Sequence, residues 1–167
     1  MEVGLACKKR SLATKSYRCS QTVRQINLAP CSTTMPIVSH NDLPIHQVPR
    51  IKTRVLVGGK ISADETSVWE QWLENASFIP LHYHTVEETL VILQGTIALT
   101  IEENTIDVEA PSTIVIPANQ LHGLRSIGSN TVHLLAFFPT ANPQIIAADG
   151  SLRPMPWEDL QGGTPPP

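Results

Sequence analysis

Several things are scarce in this chain, and each scarcity excludes a class of protein. Cysteine is absent from Met35 onward, because Cys7, Cys19 and Cys31 all precede it. That excludes a disulfide-stapled body and a sulfur-ligated structural zinc clamp, and it fits a reducing, cytoplasmic setting. No apolar run approaches the ~20 residues of a spanning helix, so no membrane partner is expected. Positive charge is not in excess: 12 Lys plus Arg stand against 15 Asp plus Glu, a net charge of −3. A nucleic-acid binder driven by overall charge is therefore excluded. Long helical patterns are also missing, and 14 prolines with 9 glycines favour short elements separated by turns. What is present is a chain of 167 residues, 41% hydrophobic and 16% charged. It is too apolar for disorder throughout and sized for one domain.

Charge divides the chain near residue 34. Residues 1–34 carry six basic residues against Glu2 alone, a local charge of +5, and the remainder carries −8. The basic, Ser/Thr-rich extension resembles an organelle transit peptide, which would place the protein in an organelle. The alternatives are an extension preceding a natural start at Met35, or a basic arm. On each reading it has little fixed structure, and it is too short for a helix-turn-helix domain. The organisation read from composition is an extension over 1–34, a Pro-rich lead-in over 35–49, a strand-rich body over 50–138 and a Pro/Gly-rich tail over 139–167.

The body reads as short strands. Runs rich in β-branched and aromatic residues cover 50–57, 67–73, 78–84, 88–94, 96–101, 105–108, 113–116, 122–126 and 131–138. Gly95, Glu102-Glu103-Asn104, Pro117 and Gly128-Ser129-Asn130 punctuate them. Strands at this spacing, without helical patterns between them, predict an all-β sandwich or barrel. Beyond Phe138 the prolines make poor sheet formers, with one helical turn expected at 156–160 to dock Trp157 and disorder over the last six residues.

The chemistry sits in Pro80-Leu81-His82-Tyr83-His84-Thr85-Val86-Glu87-Glu88. His82 and His84 are two apart on a strand, so both imidazoles share a face. Two buried adjacent imidazoles need something to satisfy their nitrogens, and a divalent metal does so through neutral lone pairs. The bland reading is a pair of surface histidines on an edge strand. Glu88 follows a three-residue turn and adds a charged oxygen, and His122, opening a later strand, completes three imidazoles and one carboxylate. Alternation points Glu87 outward.

These residues resemble the two motifs of the cupin superfamily. His82, His84, Glu88 and Gly95 match the first motif, with Ala76 at its leading glycine. Pro117 and His122 match the second, with Pro111 and Asn119 at its glycines and Ser126 at its asparagine. Asn tolerates the left-handed conformation that a glycine there would supply. The resemblance implies a single-domain, cupin-type small antiparallel β-barrel, also described as a double-stranded β-helix or jelly roll. It implies one divalent ion (Fe, Mn, Ni, Co or Zn) near one mouth, held by His82, His84, Glu88 and His122, and frequent homodimers.

Three imidazoles and a carboxylate leave positions open on such an ion for a small oxygen-bearing metabolite. The expected function is a metal-dependent enzyme, dioxygenase-type oxidoreduction first. The alternatives are isomerase or lyase chemistry on a sugar-like or keto-acid substrate, and a non-enzymatic metal-dependent binding or sensor module. Strand parity places Phe78 with His82, and Leu90 and Ile92 with Glu88, as pocket walls around a small-molecule ligand. His133 is a candidate pocket base, or else an ordinary core or surface histidine. Arg54 and Arg125 are candidate carboxylate partners, although surface arginine is the commoner outcome. Trp69 and Trp72 differ in parity, so one should face inward. His40 and His46 are expected to be solvated.

Overall fold

The protein is described by a computed structural model covering residues 35–59 and 61–155. The expectations for 1–34, for the turn at 156–160 and for the last six residues lie outside the described residues. Among the described residues, twelve strands follow one short 3-10 turn at His40–Asp42. They are β1 (His46–Val48), β2 (Ile51–Val57), β3 (Ser67–Leu73), β4 (Phe78–Tyr83), β5 (Glu88–Gln94) and β6 (Thr96–Ile101). Then come β7 (Asn104–Glu109), β8 (Ser112–Ile116), β9 (His122–Ile127), β10 (Val132–Phe138), β11 (Ile145–Ala147) and β12 (Leu152–Arg153). They form two six-stranded sheets with antiparallel pairings, in the orders β1-β2-β3-β10-β5-β8 and β12-β11-β4-β9-β6-β7. No helix among the described residues is long and apolar enough to cross a membrane.

Alternation builds the core. In β10, Val132, Leu134, Ala136 and Phe138 are buried while the residues between them are not. In β5 the inward set is Glu88, Leu90 and Ile92, and in β9 it is His122, Leu124 and Ser126. The inner faces meet through Leu73, Leu90, Ile92, Ile97, Leu99 and Leu134. One strand face thus carries both apolar core and polar site residues.

Backbone devices join the two sheets. Gly95 adopts φ 85° where β5 of one sheet hands over to β6 of the other. A side chain there would press on the Val132 Cα at 3.0 Å. Asn119 and Ala76, where the cupin motifs carry glycine, also take left-handed conformations, at φ 64° and 61°. Asn accepts this readily, whereas Ala gains nothing in return for the clash of its Cβ.

Three expectations need correction. The tail after Phe138 is not free of sheet: Ile146 and Ala147 of β11 pair with Tyr83 and His82, and β12 pairs with β11. Pro143 and Pro154 sit outside these short ladders, so they do not interrupt them. Phe78 does not share the face of His82. The β4–β9 register runs Ile79↔Leu124 and then His82↔His122, three residues against two. This bulge reverses parity, turning Ile79 toward the core and leaving Phe78 58% exposed. His133 likewise faces away from the site. It lies on the outer face of the first sheet, 2.9 Å from Glu70 Oε1 and stacked on Trp72 at 5.3 Å.

Glu70 organises that outer face. Arg54 donates to its Oε2 through Nε at 3.0 Å and Nη2 at 2.6 Å, and Arg54 Nη1 donates to the His40 carbonyl at 2.9 Å. Burial raises the Glu70 pKa, but the bonds from Arg54 and His133 outweigh it and hold the carboxyl below its ordinary value. Arg54 is therefore committed to Glu70, and Arg125 is exposed opposite Phe78.

Two stability predictions follow from this backbone. A Cβ on Gly123 would meet the Ile79 carbonyl at 3.0 Å and the Leu81 nitrogen at 3.2 Å, both backbone atoms of the bulged strand. Gly123→Ala should cost about 1–3 kcal/mol in denaturant unfolding. Ala76→Gly should stabilise by about 1 kcal/mol in the same experiment, because it removes the left-handed strain of Ala. A neutral Gly123→Ala, or a destabilising Ala76→Gly, would contradict these assignments.

Candidate metal centre

The bulge in β4 and the start of β9 bring His82 opposite His122. His84 lies one residue beyond β4, and Glu88 opens β5 in the facing sheet. All four side chains are buried, between 1% and 6% exposed. One potential ligand atom from each lies within 4.8 Å of all the others. The imidazoles pack ring to ring, with His82 4.3 Å from His122 and 5.0 Å from His84. Glu87 is exposed.

The protonation pattern follows from the hydrogen bonds. Nδ1 of His82 lies 2.8 Å from the Pro80 carbonyl, Nδ1 of His84 2.6 Å from the Gln144 carbonyl, and Nδ1 of His122 2.8 Å from the Gln120 carbonyl. A carbonyl oxygen only accepts, so each Nδ1 carries the proton and donates. In the neutral form of each ring the Nε2 lone pair is then the one left for the cluster. Burial, with the nearby His122, pushes the His82 pKa down to about 4, and burial lowers His84 as well.

The cluster is unsatisfied as it stands. Nε2 of His84, Nε2 of His122 and Oε2 of Glu88 are buried without hydrogen-bond partners. Oε2 of Glu88 lies 2.9 Å from the His122 Nε2 and 3.5 Å from the His84 Nε2. Lone pairs facing one another at that range repel unless a cation stands between them. Orphaned buried polar groups of this kind are costly. The donor set of three imidazole nitrogens and one carboxylate oxygen fits a divalent first-row ion. The backbone carbonyls on the Nδ1 side supply the outer support that fixes a ligating histidine's tautomer.

Leu90 and Ile92 share the face of Glu88 but are fully buried core at 1% and 0% exposure. They form the floor behind the site. The walls that parity reasoning missed are Trp69 and Phe138, whose rings stand 6.5 and 4.9 Å from that of His84. Trp69 and Trp72 do face opposite sides, with Trp69 inward. Gln144 was also missed, because its contribution is a main-chain carbonyl sixty residues from His84, which no side-chain motif records. His46 is half-buried rather than solvated.

The neutral state of the site has a consequence for acid stability. His82 has its folded pKa below the ordinary 6.5, so on acidification the unfolded chain takes up its proton first. The metal-free protein should therefore be most stable above pH 6.5 and lose stability as pH falls through that value toward about 4. Melting temperatures in chelator at pH 7.5, 5.5 and 4.5 check this, and a midpoint that rises on acidification would contradict it.

Comparison with known proteins agrees with this geometry. Residues 69–138 match the cupin domain family, a span containing all four site residues. Auxin-binding protein 1 of Arabidopsis thaliana is 30% identical over 121 residues, covering 64% of this chain and 61% of that protein. The chain thus spans about three-fifths of that relative's length. Among solved structures, the polyketide cyclase RemF from Streptomyces resistomycificus superposes with a TM-score of 0.58 at 22% identity, covering 77% of this chain and 94% of the other. Oxalate decarboxylase from Lactobacillus farciminis, a formate complex, gives a TM-score of 0.60 at 22% identity, covering 65% of this chain and 34% of the other. At these identities the two structures speak for the fold alone. The fold, the spacing of both motifs and the matched span lead to one conclusion: residues 69–138 are a cupin domain.

Proposed function

We propose that this protein is a metal-dependent enzyme that holds one divalent ion through His82, His84, His122 and Glu88 and acts on a small oxygen-bearing metabolite. The observation that carries this reading is the set of buried, partnerless Nε2 and Oε2 atoms converging on one point. When bound, the ion would supply Lewis acidity and open coordination positions, and as Fe(II) access to dioxygen chemistry.

The chain's own residues set the conditions for that chemistry. The three Nδ1–carbonyl bonds hold the imidazoles in ligating orientation without side-chain helpers. Glu88 brings one negative charge to a site of neutral rings and lowers the net charge of a bound divalent ion. Trp69 and Phe138 exclude water from the His84 side and carry no group that titrates near neutral pH. Proton transfers in the site would then be left to the metabolite, to water or to the Glu88 carboxylate.

Dioxygenase-type oxidation is the first reaction we assign, with isomerase or lyase chemistry on a sugar-like or keto-acid substrate next. A second reading, a metal-dependent binding or sensor module, is favoured by the name of the plant relative, an auxin-binding protein. A cytoplasmic location and a homodimer belong to the same proposal. Leu93, Val115 and Phe137 give the first sheet an apolar outer face suited to a second copy.

Elemental analysis of the full chain purified without added metal should find about one first-row ion per chain, lost in His84→Ala and in Glu88→Gln. Incubation with panels of small keto, enol and sugar acids then separates the readings. Dioxygen uptake by the iron form supports oxidation, anaerobic turnover supports isomerase or lyase chemistry, and ligand recovered unchanged supports the binding module. A native protein that takes up no metal under reducing conditions would overturn the proposal.

A further inference from the structure

A cavity separate from the metal cluster opens elsewhere among the described residues. It has a volume of about 650 Å³ and lies between the inner face of β2 and β3 and the returning tail. None of the four metal-site residues lines it. Trp69 stands between it and the cluster, edge-on to His84, and Gln144, whose carbonyl holds His84, lines its wall. The volume is in the range of small-molecule sites.

The composition of the wall is one-sided. Val55, Ile61, Trp69 and Met155 provide apolar surface, and Asn142 an amide. Arg153 and His46 are the titratable side chains in the described lining, and no carboxylate is among them. Arg153 sits on β12 and donates one long bond, 3.4 Å, from Nη2 to the Leu81 carbonyl. A guanidinium has five N–H donors, so most of its capacity remains for a ligand. Asp149 is the acidic group nearest in sequence. Its carboxylate accepts from the Ser151 amide at 2.9 Å and hydroxyl at 2.6 Å, and it also attracts the Arg153 guanidinium without a direct hydrogen bond between them.

We propose that this cavity is a second binding compartment, separate from the metal, for a small organic anion with an apolar body. The anionic group lies on the Arg153 guanidinium and the body against Trp69, Val55 and Met155. None of the four metal-site side chains contributes to the lining, so the anion is held without contacting the ion. The proposal therefore stands or falls separately from the metal reading.

Calorimetric titration of the full chain with 4-phenylbutanoate and with its neutral amide tests it, each in chelator and after metal loading. The acid should bind at least about tenfold more tightly than the amide, as expected for charge-assisted bonds to a guanidinium. That preference should persist in chelator. Arg153→Gln should reduce acid binding to the level of the amide, while Arg153→Lys should retain part of the preference. If Arg153→Gln does not fold, the acid–amide comparison on the native chain decides. Equal affinities, no binding of either compound, full acid binding by Arg153→Gln, or loss of binding in chelator would each overturn the proposal. The last outcome would place the anion on the metal.

Discussion

Three hydrogen bonds from imidazole Nδ1 to backbone carbonyls are the constraint on which the site depends. They fix the tautomer of His82, His84 and His122 and so decide where the free lone pairs point. At His82 and His84 burial acts in the same direction by disfavouring the imidazolium form. A cluster of neutral donors beside a carboxylate is poorly satisfied alone and well satisfied by a divalent ion. The barrel places these atoms together through rigid strands, an arrangement suited to a site that must keep its geometry.

The bulge in β4 links fold and site. Without it, the parity that turns Ile79 into the core would turn His82 out to solvent. The extra residue is accommodated because Gly123 lets the bulged backbone approach β9 closely. His122 and Gly123 are thus adjacent in sequence for connected reasons, one contributing a candidate ligand atom and the other space for the strand that carries a second candidate, His82. The tail adds a third connection. β11 pairs with the end of β4, and Gln144 just before it supplies the carbonyl that orients His84.

Much of this was legible in the sequence because strand alternation is a local signal. The nine runs read over 50–138 correspond to β2–β10, and the His-x-His spacing with Glu88 and His122 marks the residues that converge. What was not legible depends on tertiary pairing. Phe78 was misplaced because a bulge is invisible to period-two reasoning. His133 stays open between a pocket base and an ordinary core or surface histidine, because alternation alone does not say which of two parities faces the core. That is settled by Leu134 and Phe138 packing inward and by Glu70 receiving His133 outside. The strands β1 and β11–β12 are short edge elements held by their neighbours rather than by their own propensity, and Pro143 and Pro154 disguise the latter pair. Gln144 contributes through its main-chain carbonyl, and main-chain acceptors leave no residue-type signature.

On the proposed function, the three Nε2 atoms and the Glu88 carboxylate hold one ion together. An anomalous-difference map from crystals of the protein as purified tests it most directly. A single strong peak is expected, bonded to Nε2 of His82, His84 and His122 and to Glu88, at about 2.0–2.2 Å if the ion is zinc. A cluster that holds no ion in crystals grown with excess metal, or an ion bound elsewhere while these four side chains pair only with water, would contradict it.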